Sequence, residues 1–324
     1  MIFDYGFSVI GKSHEKMGTK CQDASKIKKM DNGWVIAAIA DGVGSAKNAQ
    51  RGAKIAVDTV VEFCEECLPY DYNLVGIKAM MLTAYNYALK HIHCDAQRRK
   101  QPFESYDTTL TMVIYDGKRI IYGHSGDGAI IGLTSYGNYV IITRPQKGED
   151  LVSVQPLRSG YKRWIIDTYD EDLSSVLLMT DGILETFCPY QLRDTTKVYV
   201  PLIMFFADPD CFRNERYSDE DIRQSIQEFL IADERYDEDT FYKRLMYGLE
   251  KRFPDEEQAL GVLLNIAKVN NPIKLMRNEQ DDKTIIGLIN LDSQTEMQEC
   301  EYYTEPDWQQ AQDAWNRKAY PHLY

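Results

Sequence analysis

Positive charge is what this sequence most lacks: 37 Lys and Arg stand against 50 Asp and Glu, a formal net charge of −13. Affinity for a phosphate backbone rests on clustered cations, so the deficit argues against a nucleic-acid partner. Cysteine offers no framework either. Cys21, Cys64, Cys67, Cys94, Cys188, Cys211 and Cys300 are odd in number and scattered, which argues against a disulfide scaffold and for a reducing, cytoplasmic setting. No stretch approaches the roughly 20 apolar residues that span a bilayer, so no membrane association is expected. Met1 to Gly11 alternates polar and apolar residues and does not read as a signal peptide.

What is present suffices for a large core: 324 residues, 44 % of them hydrophobic. Ile2 to Ile10 reads as a strand. Lys26 to Met30 and Trp34 to Ala40 flank Asp31-Asn32-Gly33, where Asn-Gly favours a tight hairpin turn. Ala53, Ala56, Val57, Val60, Val61, Cys64 and Cys67 then recur at helical spacing, and Leu74 to Ala96 repeats the pattern. From Thr109 the rhythm returns to strands, expected at Thr109–Tyr115, Arg119–Gly123, Ala129–Leu133, Tyr139–Thr143, Trp164–Thr168 and Val176–Thr180. Many strands after two helices predict an α+β fold of mostly antiparallel sheet, a two-sheet sandwich with helices outside. Residues 185 to 275 differ: Tyr217 to Phe253 is charged and helical in pattern, and the stretch reads as a helical insertion or lid, with an extra helical layer that only packs as the equal alternative. Lys283 to Asn290 is the last strand, and residues 292 to 324 form an acidic, aromatic tail with a short helix near Trp308 to Arg317.

Asp-Gly occurs at Asp41, Asp116, Asp127 and Asp181. The dipeptide alone is the ordinary hairpin signal, and Asp116 is assigned to a turn. Asp41 and Asp181 differ because each ends a nearly pure apolar run, VIAAIAD and SVLLMTD. A carboxylate at the end of a buried strand is costly unless it is solvated, hydrogen-bonded or bound to a cation. Asp281-Asp282 opens the last strand, Asp127 lies in GHSGDGAIIG, and Asp23 lies in CQDAS. Several oxygen ligands with no matching histidine-cysteine set point to a hard cation, magnesium or manganese. On pattern alone, unrelated caps and turns remain the alternative.

GKSHEKMGTKCQDAS, ADGVGS, YDTTLTMVIYDG, GHSGDGAIIG, LLMTDGILE and DDKTIIGL, taken in that order, resemble the metal-dependent serine/threonine protein phosphatases of the 2C type, most closely bacterial members. The resemblance covers Gly11 to Leu288. It implies a four-layer α-β-β-α sandwich over residues 1 to 291, with the 185–275 insertion as an enlarged flap and a two-ion Mn2+ or Mg2+ centre between the sheets. By position it implies Asp41 as the carboxylate shared by both ions and the Gly42 carbonyl as a ligand. Asp181 and Asp281 match the other core ligands, Asp127 the acid of a third ion, and Asp23 the acid that orients the attacking water. Asp282 stands where the family usually has Asn. The implied partners are a phosphoprotein substrate and a cognate serine/threonine kinase.

Two departures qualify the match. Gly18 stands where members often carry a phosphate-gripping Arg, and Val43 where many place a His that protonates the leaving group. His14 and Lys20 flank the same loop, and His14 is the candidate proton donor because a histidine titrates near neutrality. The departures also motivate a rival reading, a pseudophosphatase that binds phosphoproteins without turnover. A cysteine phosphatase is rejected: in HCDAQRRK, Lys100 stands six positions after Cys94 where Arg is required, with no glycine loop. Cys64 and Cys67 share one helix with no second pair, which reads as core packing.

Overall fold

The structure, a computed structural model, describes residues 1–69, 71–143, 145–146, 154–192, 198–213, 216–269 and 271–323. Parts of the expected insertion (193–197, 214–215, 270) and Tyr324 of the tail lie outside the described residues.

Ten strands make two five-stranded antiparallel sheets among the described residues. One sheet holds β1 (Ile2–Val9), β6 (Ala129–Thr134), β7 (Tyr139–Ile141), β9 (Leu173–Met179) and β10 (Lys283–Asn290) in the order β1-β10-β9-β6-β7. The other runs β2-β3-β4-β5-β8, from β2 (Ala24–Lys29), β3 (Val35–Ala40), β4 (Leu110–Tyr115), β5 (Ile120–Ser125) and β8 (Ile165–Thr168). The helices are α1 (Lys12–Met17), α2 (Ala49–Cys67), α3 (Leu74–Arg99), α4 (Asp181–Phe187), α5 (Val200–Ala207), α6 (Pro209–Phe212), α7 (Asp219–Ile231), α8 (Glu238–Glu250), α9 (Glu256–Val269), α10 (Pro272–Asn278) and α11 (Trp308–Ala319).

The unbroken apolar runs are explained by burial on both faces. Along β3, Val35, Ala37 and Ile39 enter the core between the sheets, whereas Ile36, Ala38 and Ala40 pack with α2 and α3. On β10, Ile286 and Leu288 face the other sheet, while Ile285 and Ile289 face the second helical layer. The result is the expected four-layer α-β-β-α sandwich. The β2–β3 hairpin turns at the Asn-Gly pair, with Gly33 at φ +84° and Met30 N–H donating to Trp34 O at 2.8 Å.

Helices α4 to α10 bury their apolar faces on the outside of the β1-β10-β9-β6-β7 sheet. Phe205, Phe206, Phe229 and Phe241 form a chain of ring contacts with centroids 4.8–5.3 Å apart. Each fully buried Phe contributes about 2 kcal/mol through area removed from water. Tyr5 Oη donates to Phe206 O at 2.8 Å and ties this layer to β1. The stretch read as an insertion or lid is thus placed as the outer layer of the sandwich. The tail docks on that layer: Trp308 meets Tyr199 at 5.6 Å and Trp315 meets Tyr190 at 5.4 Å between ring centroids.

Candidate metal centre

Antiparallel register decides which acids meet. Ala24 pairs with Ala40, so Asp23, one residue before β2, lies beside Asp41, one residue after β3. Ala129 and Ile285 both pair with Met179, which brings Asp127 and the Asp281-Asp282 pair to the end of β9 where Asp181 opens α4. Five segments distant in sequence deliver carboxyl groups to one end of the sandwich.

Carboxylate oxygens of Asp41, Asp127 and Asp181 lie within 4.8 Å of one another. The backbone around Asp41 is fixed by a threonine pair: Thr108 Oγ1 and Thr109 N–H each donate to Asp41 O at 2.8 Å, and Asp41 N–H donates to Thr109 Oγ1 at 2.8 Å. Gly42 is buried, and a Cβ there would press on Ala49 Cβ and Gln22 O, so the close approach of α2 and the 20–23 loop requires glycine. Gly182 leaves no room for a Cβ against Asp282 O, which brings α4 close to the start of β10.

Asp23 is buried and accepts from Thr180 Oγ1 at 2.9 Å, while Thr180 Oγ1 itself accepts from Thr284 N–H at 3.1 Å. Burial, followed by the charges of Asp23 and Asp181, pushes Asp41 well above the usual carboxylate range. Burial also pushes Asp23 up to about 7, against the hydrogen bonds from Asp41, Thr284 and Thr180. Crowded carboxyls with no cation among them favour the protonated form. A divalent ion would reverse that preference, and the set is all oxygen, as a hard cation requires. Burial, with the charges of Asp23 and Asp282, likewise pushes the Cys21 thiol well up.

The Asp281-Asp282 pair splits. Asp281 is exposed, lies outside the three mutually close acids, and acts on Asp41 through its charge. Asp282 turns inward, where its carboxylate accepts from Gly11 N–H at 2.7 Å and from Gln22 N–H at 2.5 Å, with His14 Nδ1 2.9 Å away. One buried carboxylate therefore pins both ends of the 11–22 loop, with the His14 ring beside it. Sequence reasoning missed Asp282 and Thr180 as organisers of the site. Strand alternation was the available signal for Asp282, since neighbouring residues entering β10 point to opposite sides. Lys20 is exposed, and Gly18 caps α1 at φ +65°.

A family model described as protein phosphatase 2C matches residues 10–230. Among solved structures, a bacterial serine phosphatase is similar at 13% identity with a TM-score of 0.53, covering 89% of this chain and 98% of its own. The serine/threonine phosphatase of S. agalactiae is similar at 14% identity with a TM-score of 0.51, covering 89% of this chain and 99% of its own. At such identities the likeness is one of fold. No curated protein sequence matches the chain.

Proposed function

The chain belongs to the protein phosphatase 2C family, a family of protein serine/threonine phosphatases, and from that premise we propose that it hydrolyses phosphoserine and phosphothreonine in proteins with Mn2+ or Mg2+ held at the acidic end of the cleft. The observation that carries the reading is the convergence of Asp41, Asp127 and Asp181 from three separate strand ends to within 4.8 Å.

In this reading Asp41 would hold both principal ions, the Gly42 carbonyl, Asp181 and Asp281 would complete their protein ligands, and Asp127 would hold a third. When bound, such ions lower the pKa of the attacking water and offset charge on the phosphoryl oxygens. The remaining work falls to the chain's own groups. Asp23, held by Thr180 Oγ1, orients the water and accepts its proton. His14, whose Nδ1 lies 2.9 Å from Asp282, would give a proton to the leaving serine or threonine oxygen. A protein serine/threonine kinase is the class of enzyme that supplies the substrate.

The test is hydrolysis of a phosphothreonine peptide with manganese, magnesium or chelator, comparing wild type with Asp41→Asn and Asp281→Ala. Metal-dependent turnover lost in both variants is expected. Activity that survives chelation or both substitutions overturns the reading. Manganese binding without turnover on any phosphopeptide shifts it to a phosphoprotein-binding module.

A further inference from the structure

The basic stretch that ends α3 belongs to a protein of net charge −13, and the fold gathers it around one carboxylate. Asp95, with a side chain 6% exposed, accepts from Arg51 Nε, from Arg51 Nη2 at 2.8 Å, from Arg98 Nη2 at 2.5 Å and from Tyr106 Oη at 3.2 Å. Arg99 Nε lies 3.2 Å from the same carboxylate. Three guanidiniums share one negative charge, so positive charge is left over. Each guanidinium carries five N–H donors, more than the two oxygens of Asp95 can engage, and the Arg51, Arg98 and Arg99 side chains are 41%, 72% and 50% exposed.

Arg51 and Arg98 line a groove of about 420 Å³ between α2 and α3, together with Thr59, His91, Asp58 and Asp95. Asp58, the other acid of the groove, is already engaged by Lys26 and Lys54. The groove sits close to the acidic cleft. Tyr106, which holds Asp95, belongs to a short segment that runs along the loop after Asp41. Asn48 N–H donates to Ser105 O at 2.7 Å, Val43 N–H donates to Asp107 O at 3.0 Å, and Thr108 bridges to Gly42. Cation cluster and acid cluster thus flank one stretch of chain, residues 105–108, at the same end of the molecule.

We propose that this groove grips a second phosphorylated residue of the protein substrate, Arg51 and Arg98 forking onto its phosphoryl oxygens while the residue to be hydrolysed enters the cleft. The identity of the partner rests on the phosphatase reading. The grip itself rests on the geometry. A planar guanidinium matches a phosphoryl group through paired hydrogen bonds, and Asp95 holds the forks in place beforehand, so less side-chain entropy is lost on binding. On an acidic protein, an isolated cationic patch is also where an anionic segment is steered.

The test reads binding and not turnover. Fluorescein-labelled peptides carrying no phosphothreonine or one are titrated with the metal-free protein in chelator, where the acidic cleft offers no grip for a phosphoryl group, and anisotropy is followed. Wild type is expected to bind the phosphorylated peptide about tenfold more tightly than the unphosphorylated one, as a charge-assisted pair in the groove implies. Arg98→Ala combined with Arg99→Ala is expected to erase that preference. Lys118→Ala, at the far end of the β4–β5 hairpin, is expected to keep it. Equal binding of the two peptides by wild type, or a preference that persists in the double variant, overturns the proposal. So does full displacement by inorganic phosphate at the peptide's own concentration, which marks a free-anion site. Thermal unfolding checks the double variant's fold, and Arg98→Gln alone, at an exposed position, gives the same readout if that fold fails. Absence of turnover with manganese, beside an intact peptide preference, removes the phosphatase reading and leaves the groove standing.

Discussion

Asp95 and Asp41 are both acids packed beside α2, and the fold treats them in opposite ways. Around Asp95 it places Arg51, Arg98 and Arg99, and the hydrogen bonds from Arg51 above all hold its carboxyl well below the usual range. Around Asp41 and Asp23, among the described residues, no Lys or Arg pairs with either, and burial pushes both upward. Leaving a buried charge uncompensated is expensive. A chain that supplies three cations to one carboxylate and none to this pair marks the second site as one to be neutralised from outside.

The sharpest way to break this contrast is Asp41→Asn. With manganese it is expected to lower kcat by at least about 10³-fold, the scale on which an electrostatic stabiliser acts, and to abolish the rise in Tm that manganese gives wild type by binding the folded state. Steady-state kinetics and thermal unfolding with and without metal read both. A variant that keeps the manganese-induced shift refutes the idea that Asp41 awaits a cation.

The next effect is on the pH dependence of stability, where the two sites carry opposite signs. In the metal-free protein the folded values of Asp23 and Asp41 lie above the unfolded carboxylate value near 3.9, so folding takes up protons. Their penalty grows as pH rises from about 4 and, for Asp23, is complete above about 7. Asp95 has a depressed folded value, so its contribution is present above about 4 and lost as pH falls below that. Denaturant midpoints are expected to show metal-free protein losing about 2 kcal/mol between pH 5 and pH 8, with manganese flattening that limb. A metal-free protein whose stability rises over this interval contradicts the assignment.

Asp95→Ala acts on the same scale. It leaves three guanidiniums facing one another without their shared acid, and because they are partly exposed the expected cost is about 2 kcal/mol by equilibrium unfolding. At the bottom of the scale, Lys26→Ala removes partners of Asp58 and Glu62 on the surface of α2. It is expected to change stability by no more than about 0.5 kcal/mol. A larger effect there would mean that surface pairing, and not burial, sets the worth of these charges.

Much of the architecture is legible in the sequence for a local reason. Strands buried on both faces leave uninterrupted apolar runs, and the Asn-Gly turn at Gly33 needs only its own dihedral preference. Asp41 and Asp181 stand out because each ends an apolar run, and register brings them together with Asp127. Strand alternation makes it legible that Asp281 and Asp282 point to opposite sides, but not which turns inward, because the neighbours that decide it, Gly11, His14 and Gln22, lie at the other end of the chain. Two of the three arginines are written locally: Arg98 and Arg99 stand three and four residues after Asp95, the spacing of neighbours on a helix face. Arg51 is not, since only the packing of α2 on α3 supplies it. Between an insertion and a packing layer for residues 185 to 275 the composition does not choose, because Phe205, Phe206, Phe229 and Phe241, which join the stretch to the core, are spread over three helices.

The pairing of β1 with β10 along its whole length, from Ile2 opposite Asn290 to Val9 opposite Lys283, bears on how the molecule comes into being. Contacts of such sequence separation form slowly, since a long loop must close before they repay its entropy. During synthesis, β1 waits for nearly the entire chain before it meets its neighbour. The acidic end of the cleft, which takes Asp23 from the first segment and Asp281 from the last, is assembled at the end of folding. A chain that ends before β10 lacks Asp281 and the Asp282 carboxylate that holds Gly11 and Gln22, so in the proposed reading the capacity to bind the ions would report that folding is finished.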